Sequence, residues 1–169
     1  FDNSVYAIYT DSRGKLWVGT RVNVKIYDYS KKQFVSFKPD ALDGFFIYHI
    51  EEDDQGNMWF STRYSGVIHY NRKSDEIVHY RSGTPSARGL SSNNVIASKQ
   101  DEQGRIWFGT IEGGVNIYLP EKDSFQVIST DQGLPNNTVY GILEDRQGNM
   151  WLSTNEGISK YDYQTGQIN

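Results

Sequence analysis

One ten-residue phrase occurs four times in this chain of 169 residues, and no other property limits its fold as strongly. The copies are Asp11-Ser-Arg-Gly-Lys-Leu-Trp-Val-Gly-Thr20, Asp53-Asp-Gln-Gly-Asn-Met-Trp-Phe-Ser-Thr62, Asp101-Glu-Gln-Gly-Arg-Ile-Trp-Phe-Gly-Thr110 and Asp145-Arg-Gln-Gly-Asn-Met-Trp-Leu-Ser-Thr154. Each keeps its acid, glycine and indole at the same offsets: Asp11, Gly14, Trp17; Asp53, Gly56, Trp59; Asp101, Gly104, Trp107; Asp145, Gly148, Trp151. Successive tryptophans are 42, 48 and 44 residues apart. A period in that range belongs to a stacked or radial array, in which one unit cannot bury its apolar faces alone and its neighbours must cover them.

Within each period the pattern reads as four short strands. Runs rich in β-branched and aromatic residues at 5–9, 47–50, 95–98 and 139–143 precede the Asp, and their opening residues Val5, Ile47, Val95 and Val139 all lie six positions before it. The Asp-x-x-Gly step reverses the chain, with the carboxylate available to the turn backbone and glycine free to take positive φ. A second strand carries the Trp, a third ends in Tyr27, Tyr70, Tyr118 or Tyr161, and a fourth opens at Phe34, Ile77, Phe125 or Ile168, seven residues after each Tyr. Between the fourth strand and the next copy lie linkers of unequal length, at 38–44, 82–94 and 130–137, which absorb most of the variation in period. No segment has a helical apolar period, which excludes leucine-rich and helical solenoids.

Four-stranded units of this length, each with one Trp, predict an all-β chain, a β-propeller segment of four four-stranded blades at about 1–44, 45–92, 93–136 and 137–169. The repeated Trp and Tyr are then expected to be wedge fillers between blades. Lacking an initial Met and stopping inside a repeat, the chain is expected to be a piece of a larger propeller. Four blades of that kind would leave two apolar faces, to be covered by further blades or another copy, unless the blades close as a four-membered ring.

Several function classes have little support. The net charge is −4, with charges scattered singly, so there is no basic stripe for phosphates and no nucleic acid is expected as a partner. Cysteine is absent, and no apolar run approaches membrane-spanning length. Each Asp-x-x-Gly turn offers one or two carboxylates where calcium takes six to eight oxygens. His49, His69 and His79 lack a zinc-ligand spacing and are expected on strand surfaces, so neither metal nor cofactor is anticipated. No nucleophile elbow, cysteine nucleophile or phosphate loop is present, and no catalytic residue is assigned.

The pattern V-x-x-I-x-x-D-x-x-G-x-hydrophobic-W-x-G/S-T-x-x-G-hydrophobic, followed by Y and then G-L-S/P-x-N, resembles the two-component regulator propeller repeat. Residues 101–110, 113–118 and 133–137 carry the resemblance best, and it extends over essentially the whole chain. The first copy departs most, with Asn23-Val-Lys-Ile26 in place of the Gly-hydrophobic step and Leu42-Asp-Gly-Phe45 in its linker. The resemblance implies a seven-bladed propeller, of which this chain would be about half, in the periplasmic sensor of a hybrid histidine kinase and response regulator from gut Bacteroidetes. It further implies recognition of glycan-derived oligosaccharides, with the membrane reached only through other parts of the parent protein. The W-F/V-G-T core is also similar to other propellers such as streptogramin lyase.

In a propeller, loops between second and third strands gather on one face around the axis. Here they are residues 21–23, 63–65, 111–113 and 155–157, which predicts that Arg21, Arg63, Tyr64, Glu112, Asn155 and Glu156 surround one opening. Aromatic faces suit sugar rings, and arginine pairs bidentately with uronic-acid carboxylates. Three functions therefore stand open: a ligand-sensing propeller, a structural or protein-interaction module without its own ligand, and a propeller lyase.

Overall fold

The computed structural model describes residues 4–84 and 88–169; residues 85–87 of the longest linker lie outside the described residues. The strands are β1 (Val5–Thr10), β2 (Leu16–Thr20), β3 (Val24–Asp28), β4 (Gln33–Ser36), β5 (Phe46–Glu52), β6 (Met58–Arg63), β7 (Gly66–Asn71), β8 (Glu76–Tyr80), β9 (Val95–Gln100), β10 (Ile106–Thr110), β11 (Val115–Leu119), β12 (Ser124–Ile128), β13 (Val139–Glu144), β14 (Met150–Thr154), β15 (Gly157–Asp162) and β16 (Gln167–Ile168). They form four antiparallel sheets of four strands, each a meander in chain order, as expected of propeller blades. The first strands β1, β5, β9 and β13 lie side by side and are the inner strands.

The repeated phrase makes the first hairpin of each blade. Asp11 Oδ1 accepts the amides of Arg13 and Lys15 at 3.0 and 2.8 Å, closing the turn, and Oδ2 accepts the Trp17 indole N–H at 2.8 Å. The same indole bond recurs from Trp59 to Asp53 at 3.0 Å, Trp107 to Asp101 at 2.7 Å and Trp151 to Asp145 at 2.8 Å. The fixed Asp-to-Trp offset of six residues is thus the length of chain that returns an indole to the carboxylate capping its own turn. Gly14 and its equivalents take φ of 76–80°, a left-handed conformation that side chains disfavour. At the other end, the hydroxyls of Thr20, Thr62, Thr110 and Thr154 donate to carbonyls of the following turn.

Packing proceeds from blade to blade. Trp17 packs with Ile47, Met58 and Phe60 of the second sheet. In the next interface Trp59 packs with Val95, Ile106 and Phe108, and in the third Trp107 packs with Val139, Met150 and Leu152. Two flanks are left uncovered. Val5 is 57% exposed where Ile47, Val95 and Val139 are fully buried, and Ile158 is 70% exposed where Val24, Val67 and Val115 are fully buried. Trp151 is 39% exposed, whereas the other three tryptophans are within 1% of complete burial. The blades therefore form an open arc, and the four-membered ring is not the arrangement adopted.

Among the described residues, two short helical turns lie in the linkers: α1 (Pro39–Leu42), which buries Leu42, and a 3₁₀ turn, Thr130–Gln132, capped by Ser129 and Gln132. Neither has the length to show a period, so in the sequence both segments read as plain linker.

Candidate functional site

Antiparallel pairing places the start of each inner strand beside the end of the second: Val5 faces Thr20 and Phe46 faces Arg63. The linkers therefore arrive where the second-to-third-strand loops turn. The two are bonded together: the Tyr64 amide donates to Asn94 Oδ1 at 3.0 Å, the Glu112 amide to Thr138 Oγ1 at 3.2 Å, and the amides of Gly66 and Gly114 to the carbonyls of Asn93 and Asn137. These bonds hold Tyr64 and Glu112 at φ of 80° and 64°, where non-glycine residues are uncommon. The Asp turns occupy the opposite end of the strands.

The six residues expected around one opening fall into separate groups. Glu112, Asn155 and Glu156 line one polar cleft of about 410 Å³ with Thr130, Asn136 and Thr138. In it, Asn136 Nδ2 donates to Glu156 Oε1 at 3.2 Å, and Asn155 Oδ1 accepts the Tyr140 hydroxyl at 2.9 Å. Arg63 and Tyr64 lie outside this cleft, on the second blade. The Arg63 guanidinium carbon is 5.3 Å from the exposed Tyr64 ring, and its Nε is buried with no hydrogen-bond partner. Arg21 is exposed on the first blade and does not line the cleft.

Sequence reasoning missed the residues that border these groups. Every inner strand slips register at the residue that follows Val5, Ile47, Val95 or Val139, namely Tyr6, Tyr48, Ile96 or Tyr140, a bulge that re-aims the side chain. Tyr6 and Tyr48 are stacked with centroids 5.9 Å apart, and Tyr6 lies 4.4 Å from the Phe46 ring. Three tyrosines in four equivalent positions is the signal that aligning the repeats offers. In the sequence Asn136 reads only as a linker residue, and Thr138 falls between that linker and the strand opening at Val139.

Between the inner strands runs a second cavity of about 510 Å³, lined by Tyr6, Tyr9, His49, Glu51, Ser98 and Lys99 among others. His49 Nδ1 and Ser98 Oγ share a 2.8 Å hydrogen bond, and Lys99 Nζ is 3.7 Å from Glu51 Oε1. Burial, reinforced by Lys99, pushes the His49 imidazole below its usual pKa; burial raises the Glu51 carboxyl against the Gln100 amide and Lys99. His69 stacks on Trp59 at 4.1 Å and His79 bonds the Ser65 carbonyl at 2.5 Å. All three histidines lie on strand faces and are half-buried there, His49 against the neighbouring blade and His69 and His79 against residues of their own blade. No group of three or more His, Cys, Asp or Glu among the described residues is placed to hold a metal ion.

Residues 1–21, 42–64, 89–112 and 133–156, together more than half of the chain, match the family described as two component regulator propeller. Among solved structures, the chain is 29% identical to the extracellular domain of the hybrid two-component system BT3049 from B. thetaiotaomicron, with a TM-score of 0.80, covering 99% of this chain and 23% of that one. The extracellular domain of BT4673 from B. thetaiotaomicron is 20% identical, with a TM-score of 0.80 and coverage of 100% and 25%. Virginiamycin B lyase from Staphylococcus aureus shares the fold at 17% identity and a TM-score of 0.73, covering 100% of this chain and 55% of the lyase. The chain thus spans about a quarter of the length of the two-component extracellular domains. No curated protein matches it.

Proposed function

This chain belongs to the two-component regulator propeller family, and from that premise we propose that it is part of the extracytoplasmic, periplasmic ligand sensor of a hybrid two-component system, binding glycan-derived oligosaccharides on the face where linkers meet loops. The observation that carries this reading is the polar cleft of Glu112, Asn136, Thr138, Asn155 and Glu156. At the same end of the strands are Tyr6, Phe46, Tyr48 and the Arg63–Tyr64 pair. Flat aromatic faces cover the apolar side of a pyranose, while carboxamides and carboxylates pair with its hydroxyls. Ligand binding across blades would bias the sensor between two arrangements by its difference in affinity for them. This segment is read as non-catalytic; the parent protein would carry the kinase.

Calorimetry against a panel of oligosaccharides tests the reading. At least one should bind saturably, with affinity reduced by Asn155→Ala and by Tyr64→Ala. No binding across the panel, or binding indifferent to both changes, would overturn it, and turnover of any substrate would point to a lyase instead. A second reading is favoured by Val5, Ile158 and Trp151, whose exposure marks two blade-type faces. On that reading the segment is an interaction module packing against further blades or a second copy. Concentration-dependent association abolished by Ile158→Lys would support it.

A further inference from the structure

At the Asp-turn end, each groove between adjacent blades has the same floor: a carboxylate holding the indole of a buried tryptophan. Two of the three grooves are filled by an arginine of the chain itself. In the first, Arg72, just after β7, reaches back to the preceding blade; its Nη2 is 2.5 Å from Asp11 Oδ2, its Nη1 is 3.4 Å from Glu52 Oε1 and its guanidinium carbon is 5.5 Å from the Trp17 ring. In the third, Arg105 Nε donates to Asp101 Oδ2 at 2.6 Å, with the guanidinium carbon 5.3 Å from Trp107 and 4.9 Å from Tyr163. Both arginines combine a charge-assisted hydrogen bond with a cation over an aromatic face.

The second groove has the same floor but no arginine: Asn57 Nδ2 donates to Asp53 Oδ2 at 3.1 Å, and the His69 ring stacks on Trp59 at 4.1 Å. The position equivalent to Arg72, two residues after the third-strand tyrosine, is Pro120; the position equivalent to Arg105, four residues after the Asp, is Asn57. What remains is a cavity of about 370 Å³ lined by Asp53, Asp54, Trp59, His69, Gln100 and Gln103 among others, with no lysine or arginine among the described residues that line it. His69 does not replace the missing cation: its Nε2 is 3.9 Å from Asp53 Oδ2, buried and without a hydrogen-bond partner, and burial holds its pKa down despite Asp53.

We propose that this groove, at the opposite end of the strands from the linker–loop face, binds a guanidinium group supplied from outside the chain. The exposed Asp54, with Asp53 behind it, supplies the countercharge, the Gln100 and Gln103 carboxamides accept N–H groups, and Tyr118 lines the aromatic side beside the buried Trp59. A carboxylate beside a tryptophan, which holds Arg72 and Arg105 in the other grooves, here borders a cavity instead.

The test is an NMR titration of the four tryptophan indole N–H resonances with agmatine and, separately, with the peptide Gly-Arg-Gly. Either probe should shift the Trp59 resonance alone, saturably, with a Kd on the order of millimolar, as one weakly desolvated ion pair and one cation–π contact allow. Tighter binding of the peptide would identify an arginine side chain of a protein as the source; tighter binding of agmatine, a free small molecule. Pro120→Arg, which places an internal guanidinium where Arg72 has one, should weaken both probes at least about tenfold. Asp54→Asn, at an exposed position, should weaken them while leaving the spectrum otherwise unchanged, and carries the test if the arginine variant does not fold. No shift at Trp59, equal shifts at all four indoles, or titrations unaltered in both variants would overturn the proposal.

Discussion

Replacing Trp107 by Phe and, separately, Trp151 by Phe measures what one blade contributes to the next. Both indoles donate to the Asp of their own turn, at 2.7 and 2.8 Å, so each substitution deletes the same hydrogen bond to a charged acceptor. Such bonds contribute about 1.5–3 kcal/mol, toward the lower end where water can replace the donor. Only Trp107 is wholly buried, against the neighbouring blade; Trp151 is on the open flank at 39% exposure. At the buried position the smaller ring also gives up about 40 Å² of apolar contact, about 1 kcal/mol at ~25 cal/mol/Å², and leaves a cavity costing a similar amount. The expected losses are about 3–5 kcal/mol for Trp107→Phe and about 1–2 kcal/mol for Trp151→Phe. Against a total stability of about 5–15 kcal/mol, urea unfolding with linear extrapolation resolves that gap as a shift of roughly 1 M or more in midpoint. Equal losses at the two positions would refute the claim that interblade packing, rather than the indole–carboxylate bond, is the main role of the repeated tryptophan.

Stability should fall in acid in two ranges. The Asp145 carboxyl is held at about 2 by the Trp151 indole and Asn149; for Asp11, burial would raise the pKa, but the bonds from Trp17, Lys15 and Arg72 outweigh it and hold it below 3.8. Carboxyls with depressed folded pKa stabilise above their unfolded value and lose that contribution as pH falls from 3.8 toward about 2. Burial likewise lowers His49 and His69 below 6.5, so their contribution is full above that value and is lost as acid forces them to charge. Glu51, raised by burial above 4.5, acts in the opposite sense, its contribution disappearing as pH rises through its folded pKa. Thermal unfolding followed from pH 2 to 8 checks this, and a Tm that peaks near pH 4 would contradict it. Gly114→Ala should be far more damaging than Gly148→Ala: both have positive φ, but a Cβ at Gly114 meets the Ile128 carbonyl oxygen at contact far inside van der Waals range, while nothing lies within 4 Å at Gly148. Denaturant titration should show about 1 kcal/mol at Gly148 and several times that at Gly114.

The repeats were legible because their determinants are local. An Asp that caps a turn, a Gly that completes it and a Trp six residues on form one hairpin whatever surrounds them, so Asp53 and Trp59 could be placed in the same hairpin from spacing alone, although the bond between them came from the structure. The location of variable loops opposite those turns followed from the direction of antiparallel strands. The membership of any one cleft did not. Glu112 meets Asn155 and Glu156 because the third and fourth blades are neighbours and the 130–137 linker is folded between them, while Arg63 and Tyr64 are a blade away.

By itself, then, the sequence determined the unit, its four copies and the end of each strand where function could lie, since alternation, turn chemistry and period are properties of short stretches of chain. The tertiary structure decided which equivalent residues behave differently. Trp151 and Trp107 occupy the same place in the repeat, yet one is exposed and the other buried, because burial depends on whether a further blade covers the face. Arg72 enters the groove beside Trp17, whereas the groove beside Trp59 receives no arginine and keeps a cavity, because the side chain responsible comes from the next blade, 61 residues from the aspartate it meets. Such differences arise from contacts between copies, and no inspection of a single copy contains them.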